Sequence, residues 1–158
     1  MTAPSSATNN GSARRVLALT FHDVLDEEGQ PSATDAFSSL RAGELERLLS
    51  ELRQRGYQSA SSRALRAWQR GAGSIAERAL LLTFDGAYAS HFTLVAPLLV
   101  RHRFTGLFFV PTERIGQHGS LSVEQLKKLA FLGMEIGSQG MTNRPLTGLS
   151  QAECLKEL

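Results

Sequence analysis

The run RALLLTFD, residues 78–85, carries no polar residue from Ala79 to Leu82 and ends in a carboxylate followed by Gly86. A strand with one wet face alternates polar and apolar residues. A short run without that alternation predicts a strand covered on both faces, as in a parallel sheet. RVLALTF (15–21) and FTGLFFVP (104–111) also read as buried strands, and GMEIGSQG (133–140) as a fourth, shorter strand. Between these runs lie helical patterns. GELERLLSELRQRGY places Leu45, Leu48, Leu49 and Leu52 on one stripe, with Gly56 as its stop. SRALRAWQRG reads as a shorter helix, and 88–102 as a helix in which Pro97 sits at a kink or a fresh start. Ser122 with Gln125, and Ser150 with Glu153, have the spacing of capping boxes that open two further helices. The expectation is an α/β fold with about four parallel strands alternating with helices.

In such folds the chemistry gathers at the C-terminal ends of the strands. That rule selects His22 and Asp23, Asp85, Pro111 and Thr112, and Ser138 and Gln139 as one candidate face. Asp85 has two readings from position alone: a functional carboxylate at that face, or the N-cap of the helix that follows. A His22-Asp23 pair suits a metal or acid–base site only with further ligands. His91 and His102 fall on the polar side of their helical pattern and His118 in a glycine-flanked loop, so all three read as surface histidines. GAG at 71–73 follows a helix rather than a strand and fails as a phosphate loop, and no serine sits in a Gly-x-Ser-x-Gly elbow.

Composition narrows the function classes. Charged residues are 20% and the net charge is +2, with no basic block interleaved with aromatics, so no nucleic-acid partner is expected. Cys154 is the single cysteine, which removes intrachain disulfides and cysteine metal clusters, and it reads as a half-buried thiol. No apolar run approaches the ~18 residues of a membrane span, and the start lacks the apolar stretch of a signal peptide. The chain as written reads as cytoplasmic. Residues 1–13, rich in Ser, Thr, Asn and Ala, are expected to be a disordered tail before a domain over 14–158.

From residue 15 onward the chain resembles the polysaccharide deacetylases, the group with the NodB homology domain (carbohydrate esterase family 4). It looks most like the branch that deacetylates poly-N-acetylglucosamine exopolysaccharide, whose members are often exported. LTFHDVLD is similar to that branch's opening strand, and LLSELRQRGYQSAS to its helix and Gly-Tyr turn. LLTFDGAYAS aligns without gaps on Thr-Phe-Asp-Asp-Gly-Tyr, and LGMEIGSQGMTNRPLTGLS on Glu-Ile-Gly-Ser-His-Thr-x-x-His-x-x-Leu. The resemblance implies the N-terminal part of a distorted (β/α) barrel, incomplete at its C-terminal side, and an activity on C–N bonds of N-acetylated sugars.

The family holds a divalent metal such as zinc with one Asp and two His, and an Asp directly before the metal-binding Asp is the base. Such a metal lowers the pKa of its water from about 15.7 to about 7. By the resemblance, Asp85 stands at the base position and is retained. Gly86 stands at the metal-Asp position, and Gln139 and Asn143 at the two metal-His positions. Glycine offers no ligand atom, and neutral amides are poor substitutes for imidazole and carboxylate. The expectation is therefore a family member impaired in catalysis, with no metal cofactor in this chain. Two alternatives stand beside it: a carbohydrate-binding or structural domain, and a hydrolase with a rearranged metal site from His22, Asp23 and Asp85. N-acetylated polysaccharide is the expected partner, with self-association or completion by a further chain segment covering an open sheet edge. Gly86→Asp, Gln139→His and Asn143→His together are expected to restore metal binding.

Overall fold

The computed structural model describes residues 15–29 and 39–158. The tail expected over 1–13 and the middle of the loop expected over 26–40 lie outside the described residues. The chain runs β1 (Arg15–Phe21), β2 (Val24–Leu25), β3 (Leu40–Arg41), α1 (Ala42–Gln54), β4 (Gln58–Ser59), α2 (Ser62–Gln69) and β5 (Arg78–Asp85). It continues with a π-helical turn (His91–Val95), α3 (Ala96–Arg101), β6 (Leu107–Val110), α4 (Val123–Phe131), β7 (Glu135–Ser138) and α5 (Gln151–Glu157).

The four expected strands form one parallel sheet in the order β1-β5-β6-β7. β5 is central and buried on both faces, as its unbroken apolar run requires. β1 departs from expectation. Among the described residues it pairs β5 alone, and Leu17 is 39% exposed, so it lies at the edge of the described sheet rather than buried. β6 is shorter than the run 104–111 for a local reason. The two-residue β4 pairs Ala79 and Leu80 of β5, so β6 joins β5 only from Thr83 onward. The Thr105 N–H is taken by Ser59 Oγ at 2.8 Å.

Alternate β5 residues Leu80, Leu82 and Phe84 point into the main core, where they belong with Leu45 and Leu49 of α1, Leu99 of α3 and Leu129 of α4. The Phe84 ring stacks between Phe21 at 5.2 Å and Phe108 at 5.0 Å, tying three neighbouring strands just below their ends. Each such buried side chain contributes roughly 1.5–3 kcal/mol. Both expected capping boxes form, at Ser122–Gln125 and Ser150–Glu153. Ser61 caps α2, and the Glu135 carboxylate accepts the Ser62 N–H at 3.0 Å, which places an anion at that helix's positive end.

The helix expected over 88–102 starts afresh near Pro97. Its first turn is wide, with the Ala96 N–H donating to the His91 carbonyl five residues back, and Pro97 lies in the first turn of α3. Proline has no N–H for the ladder, so the break falls there. The wide turn also corrects the reading of His91. A wheel at 3.6 residues per turn puts it on the polar side, but it is fully buried. His102 is half-buried, with Nε2 3.7 Å from Glu46 Oε1, and His118 is exposed.

Candidate active site

Parallel pairing brings the strand ends into one row. Phe21 lies beside Phe84, Asp85 beside Phe109, and Val110 beside Ser138. His22, Asp23, Asp85, Gly86, Ser138 and Gln139 therefore leave the sheet on the same side. Asp85 ends β5, and the following helix begins only at its Ser90 boundary, so Asp85 is not that helix's N-cap. Its Oδ1 is buried with no hydrogen-bond partner among the described residues. Burial raises its pKa above the ordinary carboxylate value, and the nearby His22 charge opposes that shift.

Gly86 and Gln139 meet. The Gly86 N–H donates to Gln139 Oε1 at 2.9 Å and is shared with the Phe109 carbonyl at 3.1 Å. Gly86 has φ +98°, and a Cβ built on it would lie 2.6 Å from Cε2 of Tyr88. Ala87 follows at φ +58° and is fully buried. Asn143 does not join this pair. It is exposed, with φ +64°. Ser138 is also exposed, and its Oγ accepts the Gly140 N–H at 3.2 Å.

His22 and Asp23 are held by the residues that open the wide turn. Ser90 Oγ donates to Asp23 Oδ1 at 2.7 Å, and His91 Nε2 lies 2.9 Å from the His22 carbonyl oxygen. That contact makes Nε2 the donor of a neutral imidazole, and Nδ1 has no partner among the described residues. Burial lowers the His91 pKa from 6.5 to about 4. The three residues His22, Asp23 and Asp85 do not assemble as a ligand set. Among the described residues no three His, Cys, Asp or Glu side chains gather where they could hold a metal ion.

The metal implied by the family does not fit the residues present. Gly86 brings no ligand atom, the Gln139 oxygen is turned onto the Gly86 amide, and Asn143 faces solvent. Sequence reasoning missed four participants: Ser90 and His91, which hold the end of β1, and Arg114 and Glu157. The Arg114 guanidinium lies 4.7 Å from the Tyr88 ring centroid, a cation–π contact. Glu157 is an acid at the last turn of a short helix, where no local pattern distinguishes it from a solvated one.

Residues 72–158, more than half of the chain, match the family model described as polysaccharide deacetylase. The poly-beta-1,6-N-acetyl-D-glucosamine N-deacetylase of Escherichia coli K12 is 37% identical over 83 residues, covering 52% of this chain and 12% of that protein. Among solved structures, the Streptococcus pyogenes deacetylase PplD in complex with acetate matches with a TM-score of 0.76 at 18% identity. The match covers 90% of this chain and 63% of that one. IcaB from Ammonifex degensii matches with a TM-score of 0.74 at 24% identity, over 89% of this chain and 62% of that one. These two likenesses show the shared fold, and this chain spans less than two thirds of each relative's length. With the parallel sheet, the strand-end row and the family match in agreement, the chain belongs to the polysaccharide deacetylase family.

Proposed function

We propose that this domain recognises N-acetylated polysaccharide without the family's metal-dependent deacetylation. The observation that carries the reading is the hydrogen bond from the Gly86 N–H to Gln139 Oε1. Two of the three positions that would hold a metal satisfy each other instead, and the third, Asn143, is exposed. Removing the Lewis acid removes several kcal/mol of transition-state stabilisation that a lone carboxylate does not replace. The substrate class follows from the family and from the substrate that names the Escherichia coli relative. Asp85 supports a binding role: a buried acceptor without a donor among the described residues is the group that a sugar hydroxyl or an acetamide N–H would satisfy.

Two measurements on the same preparation test this. Titration with Zn²⁺ should give no one-to-one site, and a β-1,6-linked N-acetylglucosamine oligomer should bind without release of free amine. Tight stoichiometric Zn²⁺ together with amine release that scales with protein would overturn the reading. So would a folded protein that does not bind the oligomer.

A further inference from the structure

The loop after β7 carries Gln139 at its start and Asn143 near its middle, and one side chain from the far end of the described chain reaches into it. Glu157 is buried, at 4% exposure, although it sits in the last turn of α5. Its carboxylate accepts the Thr142 N–H at 2.7 Å, the Thr142 hydroxyl at 2.7 Å and the Arg144 N–H at 3.4 Å. Its own carbonyl oxygen accepts the Met141 N–H at 2.8 Å. Gly140 makes room for it: a Cβ there would stand 2.9 Å from Glu157 Oε1 and 3.0 Å from the Glu157 carbonyl oxygen. The other side of the loop is tied to the segment after β6, through Thr112 N–H to the Gly140 carbonyl at 3.1 Å and Glu113 N–H to the Met141 carbonyl at 3.0 Å.

We infer that Glu157 is a positioning residue, which sets the 139–144 loop so that Gln139 reaches the Gly86 amide. Charge-assisted hydrogen bonds are the strong ones, and a carboxylate surrounded by loop donors fixes several backbone groups at once. The Thr142 hydroxyl, foremost among these donors, holds the Glu157 carboxyl below its ordinary pKa, against a smaller effect of burial. Without the carboxylate, the Thr142 and Arg144 amides lose their acceptor, and on its α5 side the loop keeps the Met141 N–H bond to the Glu157 carbonyl. The Gln139 N–H keeps its bond to the Val110 carbonyl at 3.1 Å, so the loss reaches the Gln139 side chain through the slackened backbone of 140–144. The inference rests on reading Gln139 as the residue that replaces a metal ligand, but its readout does not depend on any sugar or metal.

The test is the Gly86 amide proton resonance in the intact 158-residue chain, with Gln139→Ala as the reference for loss of the contact. Glu157→Ala should move the Gly86 resonance in the direction that Gln139→Ala moves it, and should leave the Leu80 and Leu82 amides in place. Glu157→Gln, which keeps the shape and half of the acceptors, should move it part of the way and serves if the alanine variant does not fold. A Gly86 resonance unmoved while that of Thr142 shifts would overturn the inference, since Glu157 would then close only its own loop. Uniform movement of all core amides in both variants would overturn it too. Failure of the oligomer to bind, with the Gly86 shift observed, would instead count against the binding reading alone.

Discussion

The Tyr88 ring stands where a side chain on Gly86 would have to go, with 2.6 Å between Tyr88 Cε2 and an ideal Cβ at position 86. The glycine at this position is therefore matched to its surroundings, because the neighbouring ring packs onto it. Gly86→Asp must push the ring aside and place a side chain at φ +98°. Overpacking costs roughly 1–3 kcal/mol, and a left-handed backbone adds about 1–2 more. A double-mutant cycle in urea checks this: Tyr88→Ala should recover part of the Gly86→Asp loss. Additive losses would mean that the ring does not oppose the side chain. The triple change Gly86→Asp, Gln139→His and Asn143→His, expected to restore metal binding, meets this obstacle and should bind Zn²⁺ only when Tyr88 is also reduced.

Ala87 is buried in a backbone conformation that favours glycine, φ +58°. Three terms decide what Ala87→Gly does. Relief of left-handed strain stabilises by about 1–2 kcal/mol. Loss of a buried methyl costs about 0.8 kcal/mol, and the greater freedom of glycine in the unfolded chain costs about 0.5–1 kcal/mol. The sum is near zero, so the urea midpoint should hardly move. Ala87→Val has no such compensation, because a β-branched side chain is a genuine outlier there. It should lower stability by about 2 kcal/mol or more, with an unchanged denaturant slope. Equal midpoints for the two variants would contradict the backbone assignment.

His91 gives the fold a pH dependence of definite sign. Its pKa falls from 6.5 to about 4 on folding because it is buried. The unfolded chain therefore binds more protons between those values, and stability rises with pH across them. The stabilisation is fully present above pH 6.5 and is lost as pH falls through about 4. At 1.36 kcal/mol per pKa unit the ceiling is about 3 kcal/mol. His91→Gln keeps a donor for the His22 carbonyl and removes the titration. Its melting temperature should fall less steeply than that of the parent chain between pH 7 and pH 4. Parallel curves would show that the imidazole does not titrate in this range.

The sheet is legible in the sequence because burial on both faces erases polar alternation. That is why 78–85 announces a central strand and why the strand-end rule selects Asp85, Ser138 and Gln139 together. The same signal does not separate an edge from a centre, so β1 reads as buried as β5. Nor does it detect β4, a two-residue strand, Gln58–Ser59, that nevertheless trims β6. A helical wheel misplaces His91 because one wide turn shifts which residues face inward, and that turn is settled by packing around Pro97.

The residues at 86, 139 and 143 can be read off the chain, since chemical identity is local. What they do cannot. Gly86 and Gln139 are 53 residues apart and meet only because parallel pairing sets β5, β6 and β7 side by side with their ends level. The Glu157 carboxylate has no local signal and gains its place from the loop amides that α5 docks against. The sequence by itself determined which groups are present: a carboxylate at 85, a glycine at 86 and two amides at 139 and 143. Only the tertiary structure decided how these positions meet, because that depends on directed hydrogen bonds and on a ring-sized space beside a glycine. Neither has a counterpart in the linear pattern.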